Sequence, residues 1–129
     1  MNETTPPITI AIADDYAPLL RELSRMLTAL GFTVTIQAIH GQDLLAQLGA
    51  AAPHPPALCL LDINMPVLDG YDTARSLREQ YPQIRILATS FAKQPAEIAE
   101  ILKAGAHAFL FKDSPPEAYK QKLLELRLN

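Results

Sequence analysis

Five times along this chain, a short apolar run rich in β-branched residues gives way to a longer segment whose apolar residues recur with helical period. The first run is Ile8-Thr9-Ile10-Ala11-Ile12-Ala13. It is nearly continuous, as a strand buried on both faces should be. Leu19, Leu23, Met26, Leu27 and Leu30 follow with the spacing of one helical face, and Gly31 supplies the stop. Residues 32–39 read as a second strand. Leu44, Leu45 and Leu48 mark a short helix, and residues 50–56 a proline-rich loop. Residues 57–61 make a third strand. Tyr71, Ala74, Leu77 and Tyr81 give the next helical face, closed by Pro82. Residues 84–88 form a fourth strand, and Ile98, Ile101 and Leu102 lie on a helix that Gly105 ends. Residues 108–111 make the fifth strand. Pro115 and Pro116 suit the first turn of a last helix, whose apolar face is Tyr119, Leu123 and Leu126.

Strict strand–helix alternation implies an α/β fold, a parallel sheet with helices on both faces. Right-handed crossovers leave few topologies. The expectation is a flavodoxin-like, doubly wound five-stranded sheet of order 2-1-3-4-5 with five helices. The 129 residues suit a single domain spanning 1–129, with its core at about 7–127. The net charge of −3 offers no basic footprint for nucleic acid. The single cysteine, Cys59, excludes an internal disulfide and reads as a small buried hydrophobe. The polar, acidic start lacks the pattern of a signal peptide. No apolar stretch nears the ~20 residues of a membrane span. A reduced, cytoplasmic protein is expected.

In such a sheet, ligands bind beyond the carboxyl ends of the strands, near the point where strand order reverses. Strand 1 runs into Asp14-Asp15, strand 3 into Asp62, strand 4 into Thr89-Ser90 and strand 5 into Lys112-Asp113. Strand 2, an expected edge, carries no comparable group. Each residue alone has a bland role: Asp15 as a helix cap, Asp62 as a turn former, Ser90 as a loop opener, Lys112 as a solvated charge. Four such groups at four of five strand ends make a constellation. Clustered carboxylates repel unless a cation joins them, and Mg²⁺ suits one or two carboxylates plus a phosphate. A carboxylate can attack phosphorus, and a lysine and a hydroxyl can neutralise and hold the transferred oxygens.

These residues resemble bacterial two-component response-regulator receiver domains, most of all those with helix-turn-helix outputs. The resemblance rests on Asp14-Asp15, on the run from Leu61-Asp62-Ile63-Asn64-Met65-Pro66 through Val67-Leu68-Asp69-Gly70, on Thr89-Ser90, on Lys103-Ala104-Gly105-Ala106 and on Lys112. It implies that Asp62 is the phosphoacceptor, and that Asp14, Asp15, Asp62 and the backbone carbonyl of Asn64 hold Mg²⁺. It further implies that Lys112 pairs with phosphoryl oxygens and that Ser90, rather than Thr89, is the switch hydroxyl. Phe109 takes the place of the switch aromatic, and Asn64 and Ala92 lie near the site. Phe109 also reads as an ordinary core residue. The implied partners are a sensor histidine kinase or histidine phosphotransfer protein, and a second copy through helix 4, strand 5 and helix 5. The domain itself is expected to touch neither nucleic acid nor membrane, and to turn over only its own phosphoryl group.

One departure stands out: Asp113 follows Lys112 where many receivers carry a cis-proline, so a trans bond is expected there. A flavodoxin would need a Ser/Thr/Gly-rich phosphate loop after strand 1. An aspartate-nucleophile phosphatase would need a second acid and a cap. A degenerate receiver would lack site residues. None of these conditions is met. His40, His54 and His107 have no metal-ligand spacing. The chain is either a stand-alone receiver or part of a longer regulator.

Overall fold

The apolar runs form one five-stranded parallel sheet of order β2-β1-β3-β4-β5. A computed structural model describes residues 7–65, 69–91 and 94–128. The strands are β1 (Thr9–Ala13), β2 (Thr33–Ala38), β3 (Leu58–Asp62), β4 (Arg85–Ser90) and β5 (Ala108–Phe111). The helices are α1 (Ala17–Ala29), α2 (Gly41–Ala51), α3 (Gly70–Gln80), α4 (Pro95–Ala104) and α5 (Pro116–Leu128).

The period of two along the central strands builds two cores. Ile10, Ile12, Leu58 and Leu60 point to the side covered by Leu20, Leu23 and Leu27 of α1 and by Tyr119, Leu123 and Leu126 of α5. Ala11, Ala13, Cys59 and Leu61 point to the side of α2, α3 and α4, through Leu44, Leu48, Ala74, Leu77 and Ile101. Each central strand therefore buries both faces, which is why its sequence shows no polar alternation. Burial pushes the Cys59 thiol up to about 12, so it stays protonated and inert, as its apolar surroundings suggest.

Several boundaries differ from those the sequence predicts. β4 runs on through Thr89 and Ser90, and β3 through Asp62, so both polar ends are strand residues. The ladder carries them because β3 pairs Asp62 with Thr89, and β4 pairs Ser90 with Phe111. α2 reaches Ala51, since Ala50 and Ala51 favour helix, and this shortens the proline-rich loop. On α1 the fully buried face is Leu20, Leu23 and Leu27; Leu19, Met26 and Leu30 pack at its margin. Leu102 is 41% exposed, so α4 buries Ile101 alone among its residues. Gly31 and Gly105 both close their helices at positive φ, 103° and 141°. Among the described residues the one cis peptide bond is Ala52–Pro53, so Lys112–Asp113 is trans, as expected.

Candidate functional site

Parallel strands bring their carboxyl ends to one edge of the sheet, and β1, β3, β4 and β5 deliver Asp14, Asp62, Ser90 and Lys112 there. Asp14 follows β1 directly and is 1% exposed; its Oδ1 accepts the Tyr16 N–H at 3.0 Å, which turns the chain into α1. Asp62, 2% exposed, ends β3, and its Oδ1 accepts the Asn64 N–H at 3.1 Å. Asp15 is exposed at the rim. One ligand oxygen from each of Asp14, Asp15 and Asp62 lies within 4.8 Å of the others.

Lys112 closes the group from β5. Its Nζ stands 2.7 Å from Asp14 Oδ2 and 3.2 Å from Asp62 Oδ2, with the side chain only 8% exposed. One ammonium against three carboxylates leaves the cluster two negative charges in excess. Burial pushes the Asp62 carboxyl up to about 6. The Asn64 N–H and the Lys112 charge pull the other way, and Asp14 adds to the rise. Asp14 Oδ2 is buried, and its partner among the described residues is the Lys112 ammonium at 2.7 Å. Three carboxylates within 4.8 Å of one another, with one ammonium between them, leave an excess of negative charge that a hard divalent cation relieves. The donor set, all oxygen, fits Mg²⁺.

Ser90 is fully buried, and its Oγ accepts a hydrogen bond from Asn64 Nδ2 at 3.0 Å. Asn64 thus reaches Asp62 through its backbone and Ser90 through its side chain. Thr89 is also buried, but its carbonyl serves the Ile63 N–H at 3.1 Å. Phe109 lies on β5. It is half-buried, packs against the core on the α2–α3–α4 side and meets Phe111 edge-on at 5.2 Å between ring centres. Pro66, Val67, Leu68 and Ala92 lie outside the described residues.

The end of the long motif has a mechanical reading that the sequence alone does not disclose. Asp69 caps α3, its Oδ1 accepting the Asp72 N–H at 2.9 Å. Gly70 starts that helix against the strand end, where a Cβ would collide with Ile63 Cα and stand 2.9 Å from the Asp62 carbonyl oxygen. The Asp-Gly pair therefore fits α3 against the segment that carries Asp62.

Two further residues touch Lys112. The Phe91 ring lies under its ammonium, with Nζ 5.4 Å from the ring centre. The Tyr119 hydroxyl donates to the Lys112 carbonyl at 2.8 Å. Helical period marks Tyr119 only as a core residue, and nothing in the sequence marks Phe91.

Known proteins resemble this chain in sequence and in fold. A family profile described as the response regulator receiver domain matches residues 10–124. The nitrate/nitrite response regulator NarL of Escherichia coli (strain K12) is 34% identical over 113 residues, covering 86% of this chain and 50% of that protein. The chemotaxis protein CheY1 of Helicobacter pylori (strain ATCC 700392 / 26695) is 28% identical over 116 residues, covering 88% of this chain and 92% of that protein. The chain spans about half the length of the NarL and DegU regulators it matches. Among solved structures, the signal receiver domain of NarL from Mycobacterium tuberculosis superposes with a TM-score of 0.86 at 29% identity, covering 97% of this chain and 99% of that one. The family profile and these relatives place the fold and the sequence together: the chain belongs to the response regulator receiver domain family of two-component signalling.

Proposed function

We propose that this chain is a single receiver domain that accepts a phosphoryl group on Asp62 and relays it as a change of conformation. The observation that carries this is Lys112 Nζ within 3.2 Å of Asp62 Oδ2, inside an acidic cluster whose negative charge exceeds what one lysine balances. Asp62 Oδ attacks the phosphorus of a phosphohistidine. The P–N bond breaks as the P–O bond forms, and the imidazole nitrogen leaves with the electron pair. Asp14, Asp15, Asp62 and the Asn64 carbonyl would hold Mg²⁺, which supplies positive charge to the transferred oxygens.

Lys112 supplies the remaining charge, and Ser90 a hydroxyl that exchanges Asn64 for a phosphoryl oxygen. Loss of the Asn64–Ser90 bond frees the end of β4, and the half-buried Phe109 on β5 turns with it. A sensor histidine kinase or histidine phosphotransfer protein is the donor. The chain catalyses only its own phosphorylation and dephosphorylation. It works in the cytoplasm without touching nucleic acid or membrane through this domain. Among the described residues no helix is long and apolar enough to cross a membrane.

Incubation with acetyl phosphate and Mg²⁺, read by intact mass, tests the assignment. Wild type should gain one phosphate-sized increment that chelator abolishes, and Asp62→Asn should gain none. An unlabelled wild type, or an equally labelled variant, would overturn it.

A further inference from the structure

Lys112 is held at both ends by aromatic residues outside the acidic cluster. At its tip, the ammonium lies against the Phe91 ring as well as against Asp14 and Asp62. At its root, its carbonyl accepts the hydroxyl of Tyr119, a side chain only 2% exposed on α5. The two contacts come from different elements. Phe91 immediately follows β4, and Tyr119 lies one turn into α5.

The lysine needs such support. Its stem is flexible, and a compact ammonium has no planar fork to fix its direction. Asp113, rather than a ring-constrained residue, follows it. A ring face attracts a cation and sheds water from that side, while leaving the ammonium's other directions to oxygen ligands. Phe91 does this while 58% exposed, which burial of its own surface does not explain. A hydroxyl bonded to the carbonyl fixes where the stem begins.

We propose that Phe91 and Tyr119 are positioning residues that aim Lys112 at the phosphoryl group on Asp62. The proposal rests on the phosphoacceptor reading above. It adds that two aromatic residues set the strength of the lysine–phosphoryl contact, one through its ring face and one through its hydroxyl.

The test uses beryllofluoride, a phosphoryl mimic, titrated into the whole chain at saturating Mg²⁺ and followed by calorimetry. Phe91→Ala and Phe91→Leu should each bind about 2- to 10-fold more weakly than wild type, and Phe91→Tyr, which keeps a ring face, should bind like wild type. Tyr119→Phe, which removes one oxygen from the core, should bind about threefold more weakly. With Lys112→Ala added, these losses should shrink to within about twofold, because residues acting through one partner are not additive. Rescue by leucine, or losses that persist undiminished without the lysine, would overturn the positioning roles while leaving Asp62 as the acceptor. Absence of beryllofluoride binding in wild type would overturn the acceptor reading and this inference together. If Tyr119→Phe does not fold, the Phe91 series decides alone.

Discussion

On the proposed function, Asp62 serves two opposing demands. As a nucleophile it must be ionised, yet its place at the end of a buried strand disfavours charge, and burial outweighs Lys112 in pushing its carboxyl up to about 6. Proton binding is therefore tighter in the folded chain than at the ordinary value of 3.8. The corresponding stability is fully present below about 3.8 and is lost as pH rises through about 6. At neutral pH the charged Asp62 costs up to about 3 kcal/mol. In chelator at pH 7.5, Asp62→Asn should melt several degrees above wild type, and the gap should close near pH 4. Thermal unfolding at the two pH values checks this. An unchanged or lowered melting point at pH 7.5 would show that the lysine outweighs burial.

At the scale of elements, the short β5 strand depends on a side chain at its start. His107 donates its backbone N–H to the Ile86 carbonyl at 2.9 Å, and its Nδ1 accepts the Ile86 N–H at 2.9 Å. The ring thus replaces the backbone carbonyl that would otherwise pair with β4. Burial holds the imidazole below its ordinary value of 6.5, and the nearby charges of Arg78 and Arg85 add to this. The unfolded chain binds the proton more readily, so the contribution is full above about 6.5 and is lost as pH falls toward the folded value. His107→Asn places an oxygen near the Nδ1 position but does not titrate. Between pH 7.5 and 5.5 the urea midpoint of wild type should drop relative to that of His107→Asn; Asp62 titrates in both proteins and cancels from the difference. A difference that does not change with pH would refute the assignment. His40 plays a related part as the cap of α2, where its Nδ1 accepts the Asp43 N–H at 3.1 Å. Neither histidine role is legible in the chain, because both depend on which ring nitrogen meets a backbone group brought near by folding.

At the scale of the molecule, what the sequence discloses follows from periodicity. Continuous apolar runs and helical faces are local, so the sheet order and the acidic edge are legible in the order of residues. The Asn64–Ser90 contact arises only when β3 pairs with β4, and the Gly70–Ile63 contact only when α3 folds back onto the end of β3. The same limit applies to the outward face of α4, β5 and α5. Leu102, which the sequence places on α4, is exposed there, and Leu124 and Leu128 are exposed on α5. Between the helices, β5 ends the sheet. Leu110 of β5 opens into a cavity of about 180 Å³ lined by Ala118, Gln121, Lys122 and Glu125. Exposed leucines on two helices flanking an end strand suit a second copy of the chain, with the charged residues of α5 at the rim. Coupling to Asp62 would run through β4 and β5, whose pairing joins Ser90 to Phe111. Sedimentation velocity should therefore show a monomer in Mg²⁺ alone and a concentration-dependent dimer once beryllofluoride is added. Leu102→Asp and Leu124→Asp, both at exposed positions, should weaken that dimer at least about tenfold while binding beryllofluoride normally. A wild type that stays monomeric with the mimic bound, or a dimer indifferent to both substitutions, would place the outlet of the signal on another face.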